Sequence, residues 1–384
     1  MTTLESKITV RSLGGGQTVK DWLTVPFTVY AGDPNWIAQL NILEKQRISR
    51  KSAPFFTFGD AEFFVAYRDG VAVGRISAQI NRRYLEAHRD NTGHFGFFEC
   101  IDDWDVASAL IEAATAWLKS RGMTRMAGPF TLSINEECGC LIAGFDSPPA
   151  MLMPHGRPWF GPFLERAGLT KEIDLFAYRT KPSAVPSRIE QLAIRASGRF
   201  KNISLRQWDT RRWRAEIDLL VDIYNDAWGK AWGFVPFSGA EIDALATELR
   251  PFFRNEYGRF LLIDGKEVGF AAGIPDINNI IAPFHGRLLP FNWARLLWAL
   301  KREKARSLRI PFLGVRQEWQ TSPLGSSLVV LLVRDLTVQA ATLYKNLDWA
   351  EFSWVRETDP RMMALGEATA GPPAKTYRIY ERAI

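Results

Sequence analysis

Asp69-Gly70-Val71-Ala72-Val73-Gly74 and Asp264-Gly265-Lys266-Glu267-Val268-Gly269 are two copies of one pattern, D-G-x-x-V-G, half a chain apart in 384 residues. Apolar residues lead into each copy (Phe63 to Ala66, then Phe260 to Ile263), and small or apolar residues follow. An Asp-Gly pair supplies the positive φ angles of a two-residue hairpin loop, so each copy reads as strand, tight turn, strand. A single such hairpin is common. Two at this spacing predict one domain built twice.

The bulk composition agrees with two globular domains. Apolar residues make up 47% of the chain, and 384 residues suffice for two separate cores. The 48 basic and 42 acidic residues leave a net charge of +6. That excess tolerates an anionic cofactor or membrane surface and is too small to argue for nucleic acid. MTTLESKITV has no apolar core behind a basic start, so no signal peptide is read. The longest aliphatic run, Leu328 to Val333, ends at Arg334, far short of a membrane span. Cys100, Cys138 and Cys140 form neither a disulfide framework nor a metal set, and the four histidines are scattered. A cytoplasmic protein without a metal is the expectation.

The Pro-containing stretch 180–186 is the linker candidate, which divides the chain into 1–180, a linker 181–199, and 200–384. In the first half the hairpin leads to a strand from His94 to Ile101 and a helix from Asp105 to Arg121, closed by Gly122. A strand from Arg125 to Phe130, a short helix from Pro158 to Ala167 and a strand from Glu172 to Arg179 follow. The second half reads as helices Trp213 to Trp228 and Glu241 to Phe253, the hairpin and an inserted helix from Phe291 to Arg306. Then come a strand from Ile310 to Val315, a long helix from Leu324 to Asn346, a strand from Ala350 to Glu357, a short helix near Arg361 to Glu367 and a strand from Thr376 to Arg382. Each half is therefore an α/β mixed sheet with crossover helices.

This order resembles the GNAT acyltransferase fold, and the two halves resemble a tandem GNAT protein. The specific phrases are Gly74-Arg75-Ile76-Ser77-Ala78, Gly128-Pro129-Phe130, Gly144-Phe145-Asp146-Ser147-Pro148-Pro149, Ser353-Trp354-Val355-Arg356-Glu357 and Lys375-Thr376-Tyr377-Arg378-Ile379-Tyr380. Together they resemble the bacterial group that includes the ceramide synthases. The resemblance implies acyl-CoA as donor and the amine of a sphingoid base as acceptor.

It also implies a CoA diphosphate site where the fourth strand turns into the long helix, with backbone N–H groups and a helix N-terminus as the anion cradle. The usual signature there is Q/R-x-x-G-x-G/A. Gln320-Thr321-Ser322-Pro323-Leu324-Gly325 keeps the outer Gln and Gly, but Pro323 replaces the middle Gly and brings no N–H. The cradle would comprise Val315, Arg316, Gln317, Gln320, Thr321, Ser322, Leu324, Gly325 and Ser326. The first half instead runs into Asp102, Asp103 and Asp105, which would cap a helix and repel a diphosphate. CoA is therefore assigned to the second half, and substrate contacts or scaffold to the first.

An amine nucleophile needs a proton acceptor, and the leaving thiolate needs a donor. Glu357, at the end of its strand, is one candidate base. Asp359 reads better as a helix cap. The short helix lacks the usual GNAT tyrosine, leaving Tyr377 or Tyr380 as substitutes, although both suit strand packing. Glu99, flanked by Phe98 and Cys100, is a second candidate base if it is buried, with Asn135 and Glu136 as substrate contacts. Cys138-Gly139-Cys140 with His155 would make a thiol nucleophile, which GNAT transfer avoids.

The helix from Phe291 to Arg306 places Trp293, Leu296, Leu297 and Leu300 on one face, with Trp298 opposite among basic residues. It suits either packing on the sheet or peripheral contact with the inner face of an anionic membrane through 291–306. Two rival readings remain: an acetyl-CoA-dependent acetyltransferase of a small amine, and a non-catalytic tandem GNAT binding protein.

Overall fold

The computed structural model describes residues 7–13, 17–181, 190–191, 193–194, 198, 202–251, 253–302, 304–320, 322, 325–343 and 347–384. The chain divides into two compact units. The first comprises Met1–Leu175, Ile281–Trp293 and Lys375–Ile384; the second comprises Phe176–Ile280 and Ala294–Ala374. The linker expected at 181–199 lies mostly outside the described residues.

In the first unit, β1 (Ile8–Ser12) is followed by helices α1 (Gln17–Val29) and α2 (Asn41–Arg47). The hairpin β2 (Gly59–Arg68) and β3 (Val71–Asn81) turns at Asp69 and Gly70, whose φ values of 50° and 83° are those the Asp-Gly pair requires. The helix α3 (Arg82–His88), strand β4 (Thr92–Cys100), helix α4 (Trp104–Lys119), strands β5 (Arg125–Gly128) and β6 (Cys140–Ala143), and helix α5 (Phe160–Arg166) follow. They lead to β7 (Thr170–Thr180), of which the part through Leu175 belongs here. One face of α4 buries Val106, Leu110 and Trp117 against the sheet, as their spacing predicts, with Ala114 and Leu118 beside them, whereas Ala113, expected on that face, is only half-buried.

The last strand, β13 (Lys375–Ala383), corrects the domain boundary drawn at 200–384, because it completes the first unit. It pairs antiparallel with β5, from Tyr380 opposite Gly128 to Ala383 opposite Arg125, and also with β6. Ion pairs from Arg378 to Asp174 and from Glu381 to Arg125 fasten it, and the buried Lys375 ammonium donates to the carbonyls of Gly144 and Ser147. Local periodicity identifies a strand but not its neighbour. The pairing of β4 with β5 is parallel and covers only Thr92 to His94, so the two strands part beyond it.

The second unit holds the remainder of β7 together with β8 (Ile203–Gln207), α6 (Trp213–Trp228) and α7 (Gly239–Leu249). Next come the hairpin β9 (Gly258–Ile263) and β10 (Lys266–Asp276), most of α8 (Asn292–Lys301), β11 (Ser307–Val315), α9 (Gly325–Leu343), β12 (Trp349–Arg356) and α10 (Pro360–Ala370). Its hairpin repeats the first, with φ values of 50° at Asp264 and 75° at Gly265. Pairing of β11 with β12 is again parallel, again short (Ser307 to Ile310), and again opens beyond. Leu261, Leu308, Leu328, Leu332 and Val355 are among its buried core residues. The stripe expected on the inserted helix is narrower than read: Leu296 and Ala299 are buried, whereas Trp293 and Leu297 are exposed. A ten-residue helix resting on its neighbours by one seam leaves the flanks of that stripe in solvent.

Candidate active site

Glu99 sits near the end of β4, where the strand leaves its regular pairing. Arg75 faces Glu99 and Ser77 faces Gly96, so β4 fits one extra residue into this interval. Phe97 takes φ 49° to accommodate it. Strict alternation would send Phe98 away from its neighbours. The bulge instead lets Phe97, Phe98 and Glu99 all line one cavity.

That cavity, of about 110 Å³, lies wholly in the first unit, between β4, the chain after β5, α1 and α2. Arg75, 5% exposed, donates from Nε to Glu99 Oε2 at 2.6 Å. Its guanidinium also lies 3.5 Å from Glu44 and 4.9 Å above the Trp22 ring. The Tyr30 hydroxyl donates to Glu99 Oε1 at 3.1 Å, and its ring stacks on Trp36 with centroids 5.1 Å apart. Arg47 gathers Glu44 and Glu137 at 3.1 Å each and Glu136 at 3.6 Å. Four carboxylates thus surround two guanidiniums, a surplus of negative charge suited to a cationic amine.

Burial pushes the Glu99 carboxyl above its ordinary value, with Arg75 and Tyr30 opposing. A carboxylate shifted upward is a better proton acceptor near neutral pH. Burial, with Glu99 beside it, holds the Tyr30 hydroxyl well above its usual range, so it stays protonated and donating. His155 Nε2 meets Asp33 at 3.0 Å, and Arg157 binds the same carboxylate oxygen at 3.1 Å. Burial pulls the His155 imidazole down, against the attraction of Asp33. Cys138 and Cys140 are buried, and burial pushes the Cys140 thiol up to about 12, far from a thiolate nucleophile.

Of the substrate contacts expected from sequence, Glu136 joins the Arg47 cluster, and the Asn135 backbone N–H is held by Ser133 Oγ at 3.2 Å. Tyr377 is wholly buried on β13, opposite Leu141. It therefore belongs to the first unit's packing and not to the second unit's strand set. Tyr380 is likewise buried, its hydroxyl donating to Glu165 at 2.9 Å. Glu357 is half-buried in the turn between β12 and α10. Asp359 caps α10, accepting the Met362 N–H at 3.1 Å.

The β11–α9 turn of the second unit is held by many bonds. Arg316 pairs with Asp222 at 2.6 Å, and the Gln317 N–H donates to the Asp226 carboxylate at 2.8 Å. Gln320 Nε2 donates to the Ala227 and Val315 carbonyls. The side chains of Arg316 and Gln320 are thus engaged by the turn itself. Val315 is buried, Ser322 Oγ donates to the Trp319 carbonyl, and Ser326 is exposed at the start of α9. Gly325 lies so close to the turn that a Cβ there would come within 2.6 Å of the Trp319 carbonyl oxygen. Thr321, Pro323 and Leu324 lie outside the described residues. At the matching place in the first unit, Asp103 caps α4 by accepting the Asp105 and Val106 N–H groups.

Tyr30 reaches the cavity from the end of α1, Glu44 and Arg47 reach it from α2, and Asp33 stands behind His155, with no local sequence motif to mark any of them. Arg75 carried a signal: it is a charge in a strand position that the second copy fills with Phe270.

The bacterial ceramide synthase of Caulobacter vibrioides is 39% identical over 369 residues, which span 95% of each chain. The chain belongs to the bacterial ceramide synthase family. Another relative, protein YghO of Escherichia coli, is 38% identical over 378 residues, 98% of this chain and 95% of its own. No family model matches the chain. Among solved structures, the tandem GNAT protein from the clavulanic acid biosynthesis pathway aligns over 99% of this chain and 98% of its own, with TM-score 0.57 and 13% identity. A GCN5-related N-acetyltransferase from Sphaerobacter thermophilus aligns over 98% and 95%, with TM-score 0.54 and 12% identity. Family and fold together make this an N-acyltransferase built on a tandem GNAT architecture. Among the described residues no helix is long and apolar enough to cross a membrane, and no cluster of His, Cys, Asp and Glu suits a metal ion.

Proposed function

We propose that the protein transfers a long-chain acyl group from acyl-CoA to the amine of a sphingoid base. The observation carrying this reading is Glu99: a half-buried carboxylate with a raised pKa, in a net acidic cavity lined by Phe27, Trp36 and Phe97. Its acidic wall attracts the ammonium form of the acceptor, and its aromatic wall takes apolar chain. Glu99 accepts one ammonium proton, held ready by Arg75 and Tyr30. The neutral amine attacks the thioester carbonyl, the C–N bond forms, the C–S bond breaks, and the amine's second lost proton ends on the CoA thiolate. The donor's diphosphate is assigned to the N-terminus of α9, where the first N–H groups lack helical partners and Ser326 stands open.

A second reading is favoured by the engaged side chains of the β11–α9 turn, which leave the second unit as scaffold and give both substrates to the first. Calorimetric binding of palmitoyl-CoA and acetyl-CoA to the wild type and to Gly325→Trp separates these. Preference for palmitoyl-CoA that is lost in the variant, with the circular dichroism spectrum kept, supports the donor assignment. Unchanged affinity moves the donor to the first unit, preference for acetyl-CoA favours a small-amine acetyltransferase, and binding of neither favours a non-catalytic binder.

A further inference from the structure

Most of the large apolar side chains that the described residues leave exposed fall in two stretches. Ile42 and Leu43 stand on the outer side of α2, 52% and 51% exposed, while Asn41, Glu44 and Arg47 of the same helix line the cavity. Leu289, Phe291 and Trp293 are exposed where the chain enters α8, Phe291 to 76%, and Leu297 and Trp298 extend the display along that helix. The two stretches are joined. The Asn41 N–H donates to the Gly286 carbonyl at 2.8 Å, and a Cβ on Gly286 would meet Asn41 Oδ1 at 2.9 Å.

The second stretch is a built surface. The Trp293 N–H donates to the Leu288 carbonyl and its indole Nε1 to the Pro290 carbonyl, both at 2.9 Å; Asn292 Nδ2 donates to the Arg287 carbonyl at 2.6 Å. Exposed apolar groups on an ordered scaffold mark an interaction surface. Its charge chooses the partner. Arg287, Arg295, Lys301 and Arg302 are exposed within or beside it, and no Asp or Glu occurs from Ile277 to Arg302. Tryptophan and phenylalanine among basic residues, without carboxylates, match the interface of an anionic bilayer.

We propose that this surface docks on a membrane containing anionic phospholipid and holds the α2 side of the cavity at the level of the lipid headgroups. A lipid amine then enters sideways from the bilayer. An enzyme waiting in water would meet few such molecules, because each methylene of the acceptor makes desorption rarer. The lipid-amine part rests on the function proposed above; the docking does not.

The full chain is sedimented with phosphatidylcholine vesicles, with and without phosphatidylglycerol, at low and high salt. Binding should require phosphatidylglycerol and fall with salt. Phe291→Ser with Trp298→Ser should lower the partition coefficient at least about tenfold, with an unchanged melting curve. This pair should also keep its turnover on a short-chain, water-soluble amine. Wild type left in the supernatant, or a double variant that still binds, overturns the proposal. A concentration-dependent dimer that the same double variant abolishes would also overturn it, by making the patch a contact between copies. Vesicle binding together with no acylation of sphingoid bases would overturn the proposed function and leave the docking standing.

Discussion

Arg75 and Phe270 each follow the glycine that closes the repeated hexapeptide, and each faces a residue near the end of the next strand. Arg75 faces Glu99; Phe270 faces Gly314. In the second unit the Phe270 ring lies over the space a side chain would occupy, so that a Cβ on Gly314 would come within 2.9 Å of it. The same sheet therefore closes with an aromatic ring on a glycine. Burying a guanidinium and a carboxylate costs desolvation that a ring does not incur, and apolar replacements of such pairs are often neutral or stabilising. The second unit shows that this register does not need charge, and the chemistry proposed for Glu99 is what would account for the first unit's pair.

The sharpest way to break this comparison is Glu99→Gln. It should lower kcat by roughly 10²–10⁴-fold, the range for a lost general base, while palmitoyl-CoA affinity stays the same by calorimetry. Because the Glu99 carboxyl is raised, wild-type kcat should climb with pH as it deprotonates, above the ordinary carboxylate range, and the variant should lose that limb. Glu357→Gln should bring no comparable loss; the reverse ranking would move the chemistry to the second unit.

Arg75→Ala comes next. It leaves the half-buried Glu99 without its cation and should cost up to about 3–5 kcal/mol in denaturant unfolding. Combining it with Glu99→Gln should return much of that loss, and additive costs would refute a coupled pair.

A smaller effect tests the second unit's own buried acid. Burial raises Asp276 to about 6, although Ser307 Oγ donates to it at 2.9 Å. The folded chain therefore holds a proton that the unfolded chain releases earlier. The resulting stability is complete below the ordinary carboxylate pKa and is lost as pH rises through about 6. From the shift this amounts to roughly 2–3 kcal/mol. Asp276→Asn should flatten that slope between about pH 4 and pH 6, and an unchanged slope would assign it elsewhere. Smallest is Gly314→Ala, which should cost about 1–3 kcal/mol by overpacking against Phe270. A neutral result would mean that the ring yields freely, weakening the contrast with Arg75.

Local chemistry made much of this architecture readable. Both Asp-Gly turns take the φ values their residues require, α6 spans the predicted Trp213–Trp228, and Asp103 and Asp359 cap helices as their positions imply. What escaped is what the topology assembles. Whether Glu99 faced inward was undecidable by alternation, because the bulge at Phe97 suspends alternation there. Tyr30, Glu44 and Arg47 meet Glu99 and Arg75 from separate elements, and no spacing along the chain records that. The strand at Lys375–Ala383 was legible as a strand, but its partners lie some two hundred residues upstream.

That last strand sets a timetable. Translation delivers a chain from its N-terminus at about 5–20 residues per second, yet the first unit cannot close until Lys375–Ala383 emerges. While the whole second unit is being synthesised, the edge of β5 stands open on the ribosome, and an unpaired edge invites foreign strands. The half begun first is finished last, so a chain released early would carry the repeat without a completed first unit. Completion of the first unit is in this way tied to synthesis of the second.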